Sequence, residues 1–269
     1  MLISEALNLK EKAFISLVGA GGKSTLYNRL VKELALKNKR IILTTTTKMF
    51  SWQLVPFIKK GRLIEGHNEE TIRESIEKYF SLERKGGRLA VIGEKMEDKG
   101  EEKVSGPPPE WLDKWWGEDL VDFILIEADG ASGRPIKAPA PHEPVIPPST
   151  TDLIGVISID ALGLSLQEEN VFRSEIFSQL TGLKLGEKIG IEALSLLICH
   201  PKGLFKGAPQ DCCRHLFINK VEDFNSIKMA EELTFQVLKI CHRRISDIII
   251  GAAGQKEVVA EVIKEIKTS

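Results

Sequence analysis

The chain lacks an excess of either charge: 37 basic residues stand against 38 acidic ones, a formal net charge of −1 over 269 residues. Without a basic surplus, nothing in the overall composition advertises nucleic acid as a partner. It also lacks any apolar stretch near the roughly 20 residues that cross a bilayer. The opening Met1-Leu-Ile-Ser-Glu-Ala-Leu7 has no basic start followed by an apolar run and a cleavage site, so it does not read as a signal peptide. The expectation is a soluble, cytoplasmic protein with neither a membrane nor a nucleic acid as partner. Cysteine is scarce. Cys199, Cys212, Cys213 and Cys241 make no disulfide framework. They stand near histidines (Cys199-His200, Cys212-Cys213-Arg214-His215, Cys241-His242), but these spacings match no zinc signature. Buried thiols beside ordinary histidines are expected, with a transient soft-metal or sulfur site as the alternative. Repeats, low-complexity segments and a clean linker are missing too. One α/β domain over residues 1–269 is therefore expected, with a possible helical insertion about 160–209.

Short apolar runs alternate with helical spacing. Ala13–Val18, Arg40–Thr44, Arg88–Ile92, Leu120–Ile126, Leu153–Ile159, Leu216–Ile218 and Asp247–Ile250 read as strands. Leu26, Leu30 and Leu34 give Lys23 to about Leu36 one apolar helical face, and Ile72, Ile76 and Phe80 do so for Glu69–Phe80. Phe224 to about Cys241 reads as a long helix, and a last helix is expected from Gly254 to the end. Glu94–Glu110 and the proline-dense 130–149 read as loops. Strands alternating with helices imply a mostly parallel sheet covered on both faces. The predicted fold is a P-loop NTPase-like three-layer sandwich with inserted loops or a small helical subdomain.

Between the first strand and its helix lies Gly19-Ala20-Gly21-Gly22-Lys23-Ser24-Thr25. Phosphate binding needs backbone N–H groups turned toward one point with a helix N-terminus behind them, and glycines permit that turn. Lys23 would then reach the β- and γ-phosphates, and the Ser24 hydroxyl would bind Mg²⁺. The longer pattern wants glycine where Leu17 stands, so this is the shorter G-x-x-G-K-[ST] form, which some P-loop classes use, the Mur ligases among them. The second strand ends in Thr44-Thr45-Thr46-Thr47-Lys48. Parallel strands deliver their C-terminal ends to the ligand crevice, so Thr45, Thr46 and Lys48 are candidates for phosphate or hydrated Mg²⁺. β-branched residues finishing a strand are the plainer explanation.

The most apolar strand runs into Glu127-Ala-Asp129-Gly130. Acid at a strand end beside a phosphate loop is the second half of a Mg²⁺–NTP site. Glu127 and Asp129 are candidates for orienting water and, with Ser24, for Mg²⁺; Lys23, Glu127 and Asp129 form the predicted catalytic set. Arg134 and Lys137 could clamp phosphate. His142 and Glu143 could move protons or simply belong to a rigid loop. Asn219-Lys220-Val-Glu222-Asp223 is similar to the Asn-Lys-x-Asp element of guanine-specific GTPases, with Asn219 and Lys220 framing the base. Glutamate holds the fourth position, so ATP and GTP both stay open. Asp223 as a helix N-cap is the competing explanation.

GAGGKST, LTTTTKM, IEADGASGRPIKAPAPHEPVIP, HPKGLFKGAP and FINK, in that order, resemble the YqeC family from about Phe14 to Lys220. The family is viewed as P-loop NTPases that serve as accessory proteins of selenium-dependent molybdenum hydroxylases. The resemblance implies Mg²⁺- and NTP-dependent work on a molybdenum cofactor or its selenium or sulfur ligand, with the hydroxylase as a partner. Arg173 and Lys206 also fall in family-like stretches. Two other functions fit the motifs: a nucleotide-dependent transferase or kinase acting on a small molecule, and a scaffold that binds nucleotide without hydrolysing it.

Overall fold

A computed structural model describes residues 1–51, 62–83, 86–98, 100–241 and 245–264. A one-turn helix α1 (Ile3–Ala6) precedes β1 (Ala13–Gly19), the phosphate-loop candidate and α2 (Lys23–Ala35). Then come β2 (Arg40–Thr45), β3 (Met49–Phe50), β4 (Leu63–Glu65), α3 (Glu69–Leu82) and β5 (Gly87–Ile92). A hairpin of β6 (Lys95–Asp98) and β7 (Glu101–Val104) leads to α4 (Pro109–Gly117), β8 (Phe123–Glu127), β9 (Ile136–Lys137) and β10 (Asp152–Ser158). A 3₁₀ turn (Ile159–Ala161), β11 (Val171–Phe172), α5 (Ser174–Thr181) and α6 (Ile191–Cys199) fill the stretch expected to be a helical insertion. β12 (Cys213–Asn219), α7 (Phe224–Ile240), β13 (Asp247–Gly251) and β14 (Val259–Lys264) follow.

Nine strands form one sheet in the order β14-β13-β12-β10-β1-β8-β2-β5-β4, parallel except for β14. β1, β8 and β10 are buried from end to end, which is why they read as continuous apolar runs without alternation. Leu26, Tyr27, Leu30, Val31 and Leu34 of α2 pack with Ile15, Leu17, Leu43 and Leu125 on one sheet face. α3, α4, α6 and α7 cover the other through Ile76, Trp115, Leu194 and Leu233, against Phe14, Ile124 and Leu216. A helix burying four or five such side chains gains about 1.5–3 kcal/mol from each. The result is the expected three-layer α/β/α sandwich. β1 lies mid-sheet; the chain leaves it toward β2 and later returns to its other side as β10. That reversal opens a crevice at the C-terminal ends of the strands.

Two expectations are overturned among the described residues. Glu94–Glu110 is not a loop: β6 and β7 pair antiparallel, β7 also pairs with β3, and Pro109 is the first residue of α4, where a missing N–H costs nothing. The chain after Gly254 is not a helix. Val259–Lys264 pairs antiparallel with β13, placing Val262 beside Ile249 and Ile263 beside Ile248. The spacing of Val259, Val262 and Ile263 suits a helix too, but β13 would otherwise end the sheet with unpaired backbone groups that recruit a strand. Residues 265–269 lie outside the described part.

Candidate functional site

The loop after β1 turns through left-handed backbone at Gly21 (φ 77°) and Gly22 (φ 118°). A Cβ at Gly21 would collide with Ser158 and the Pro135 carbonyl, and one at Gly22 with the Asn219 amide. Glycine is thus required twice over, by conformation and by space. Gly22 caps α2, whose first residues are Lys23, Ser24 and Thr25. Lys23 is 4% exposed. Its Nζ donates to the Gly19 carbonyl at 2.6 Å and lies 3.0 Å from Asp129 Oδ1 and 4.0 Å from Glu127 Oε1. Burial opposes its charge, but the two carboxylates outweigh burial and hold its pKa above the usual lysine value.

Glu127 ends β8, and Thr45 faces it in register on β2. The Ser24 hydroxyl donates to Glu127 Oε2 at 3.3 Å. Burial raises the Glu127 pKa, and Lys23 counters only part of that rise. A desolvated carboxylate beside a serine hydroxyl at a helix start is a hard-oxygen donor set suited to Mg²⁺. Asp129 is already engaged: Oδ2 accepts the Gly19 N–H at 3.1 Å and lies 3.1 Å from Lys137 Nζ.

A cavity of about 530 Å³ opens in front of these groups. Of the predicted residues, Ala20, Gly21, Gly22, Lys23, Ser24, Thr25, Lys48, Glu127, Arg134 and Lys220 line it. Phe50, Lys103 and Asp160, which no motif signalled, also line it, as does Ser132 of the proline-dense loop. The remaining predicted residues sit behind the wall. Gly19 accepts Lys23. The Thr45 hydroxyl donates to the Glu127 carbonyl at 2.8 Å, and Thr46 donates to the Val145 carbonyl at 2.6 Å. These two hydroxyls fix the β2–β8 rim and the 130–149 loop. Arg134 donates to the carbonyls of Glu168 and Ser132. Asn219 bridges the Gly21 carbonyl (2.8 Å) and the Ala253 N–H (2.9 Å), tying the ends of β12 and β13 to the glycine loop. Lys220 pairs with Asp160 at 2.6 Å. Asp223 N-caps α7 through the Ser226 N–H at 2.8 Å, while a second cavity of about 350 Å³ holds Lys220, Glu222 and Asp223 together beside the first.

Lys137 links Asp129 to Glu143 (2.8 Å) and donates to the Gly130 carbonyl. Arg173 forks onto Glu143, whose pKa its hydrogen bond and those of Lys137 hold down to about 2 against the cost of burial. Glu143 is therefore an anion at neutral pH, which suits a strut better than proton transfer. Lys206 donates to the carbonyls of Ala140, Pro141 and Glu143. These contacts give Arg173 and Lys206 a role the sequence did not supply: both hold the 140–144 loop. His142 is exposed.

The cysteine expectation also needs correction. Cys199 and Cys241 form a disulfide with Cα atoms 5.2 Å apart, whereas Cys212 and Cys213 are free. Each bonded cysteine lies at the C-terminal end of a helix, α6 or α7, and those helices pack side by side. A separation of 42 residues carries no local signal of that packing. His242, beside Cys241, lies outside the described residues. No described helix is long and apolar enough to cross a membrane.

Residues 15–175 match the family described as YqeC protein. A relative from Escherichia coli (strain K12), named "Uncharacterized protein YqeC", is 36% identical over 229 residues, covering 83% of this chain and 82% of that protein. With most of both chains aligned and the glycine loop, acidic strand end and proline-dense loop inside the matched span, this chain belongs to the YqeC family.

Proposed function

We propose that this chain is a Mg²⁺-dependent P-loop NTPase that serves as an accessory or maturation factor for a selenium-dependent molybdenum hydroxylase. The observation that carries the nucleotide part is the meeting of Lys23, Ser24 and Glu127 at one wall of a cavity of about 530 Å³, beside a glycine loop in which a side chain would collide with its neighbours. Lys23 is held by Asp129 and Gly19. A triphosphate entering there would take Lys23 as a partner, a charge-assisted exchange in a desolvated site. Ser24 and Glu127 would hold Mg²⁺, which neutralises charge developing on the transferred phosphoryl group. Asp129, held through Oδ2 by Gly19 and Lys137, positions Lys23 through Oδ1. The Lys220 and Asp223 cavity supplies room for the base, with Asn219 fixing its wall.

The accessory role rests on family membership. Calorimetry with non-hydrolysable ATP and GTP analogues, with and without Mg²⁺, tests the site and names the base. Mg²⁺-dependent binding of one nucleotide, weakened in Lys23→Ala, is expected. Absence of binding, or binding indifferent to Lys23, overturns the reading. Phosphate release should fall in Glu127→Gln, which keeps the side chain's size but removes the carboxylate charge that would hold Mg²⁺. For the accessory role, cells lacking this gene should make inactive hydroxylase that the wild-type gene rescues and Lys23→Ala does not. Normal hydroxylase in those cells would refute that role.

A further inference from the structure

At the opposite rim, where the parallel strands begin, four ligand-type residues share one face. Asp152 opens β10, Cys213 opens β12 with His215 two residues on, and Asp247 opens β13. Asp152 is in register with Cys213, and His215 with Asp247. Residues in register, or two apart on one strand, project to the same side. His215 is 2% exposed and each aspartate 8%, whereas Cys213 is exposed to solvent. His215 Nδ1 lies 2.9 Å from Asp247 Oδ2, and Nε2 lies 3.1 Å from Asp152 Oδ1. Asp152 Oδ2 accepts the Thr151 hydroxyl at 2.7 Å, which leaves Oδ1 to face the imidazole.

We infer that Asp152 Oδ1, Cys213 Sγ and His215 Nε2 form a binding site for one divalent ion of the zinc class, with Asp247 positioning the imidazole. The three atoms lie within 4.8 Å of one another. Tetrahedral coordination at zinc bond lengths separates N, O and S ligands by about 3.3–3.8 Å, so a small rotation of the exposed Cys213 side chain closes the set. Oxygen, nitrogen and sulfur donors together suit a borderline-soft ion and not Mg²⁺. A carboxylate beside the outer nitrogen is the usual companion of a ligating histidine; Asp247 Oδ2 lies beside Nδ1, and Nε2, which now meets Asp152 Oδ1, would turn with that oxygen to the metal. Two buried carboxylates facing one imidazole also leave surplus negative charge, which a bound cation would compensate. Three protein ligands and a solvent-facing sulfur leave a coordination position open to water or an external ligand. The site is built from strand starts and shares no residue with the nucleotide cavity, so it stands whether or not the NTPase reading does.

Cobalt(II) titration of the full-length protein tests this. One equivalent should bind and give a thiolate-to-cobalt charge-transfer band, which Zn²⁺ bleaches and excess Mg²⁺ does not. Cys213→Ser should abolish the band, and Cys212→Ser and Lys23→Ala should leave it intact. Asp247→Asn should keep the band but weaken binding roughly 10–100-fold, the usual loss for an outer-shell partner. Since Cys213 is exposed, its serine variant should fold even if substitution of His215 does not. No band in the wild type, or a band that survives Cys213→Ser, overturns the site.

Discussion

At the C-terminal rim, cations alternate with anions: buried Lys23, Asp129 and Lys137 and half-buried Glu143 and Arg173 form a chain in which each charge touches one of opposite sign. At the N-terminal rim a single imidazole sits between two carboxylates. The first set fronts a cavity, and Asp129 meets Lys23 through Oδ1 while Oδ2 meets Lys137 and the Gly19 N–H. The second set is closed except at Cys213, so its charges have no spare partner. The difference lies in how many partners each buried charge can fall back on.

The contrast is sharpest for His215→Ala. Two buried aspartates would lose their common partner, and stability should drop by about 3–5 kcal/mol, read by denaturant unfolding. An unchanged midpoint would mean the carboxylates were never dependent on the imidazole. Lys23→Ala should act the other way, with nucleotide affinity falling by about 1.5–3 kcal/mol in calorimetry. Its stability should change less than that of the histidine variant, because Asp129 retains Lys137.

An acid titration probes the strut. With its pKa lowered to about 2 in the folded chain, Glu143 contributes stability that is complete above its ordinary value of 4.5 and is lost as pH falls from there toward 2. Glu143→Gln should thus be less stable than wild type at neutral pH, with the gap closing across that window. A gap independent of pH would remove the ion pairs from the explanation. The smallest effect is expected for Asp223→Ala, a slight drop in the thermal unfolding midpoint from the lost N-cap of α7. If base discrimination changed as well, Asp223 would be a reader of the base in addition to a cap.

Much of this molecule was legible in residue order. Continuous apolar runs marked β1, β8 and β10 as buried parallel strands, and strand–glycine–lysine–helix marked the left-handed glycine turn into α2, because local backbone demands are written locally. Helical spacing placed α2, α3 and α7 within a residue or two of their observed ends. Tertiary structure decided what depends on distant partners. The edge of β13 turned Val259–Lys264 into a strand, and the packing of α6 on α7 brought Cys199 to Cys241. Thr45 and Thr46 became rim fasteners once β8 and the 145 region lay beside them. Arg173 and Lys206 acquired work only when the 140–144 loop folded onto them. Most of all, Asp152, His215 and Asp247 carry no common motif; only the register of three parallel strands, set by burial of their apolar interiors, places them on one face.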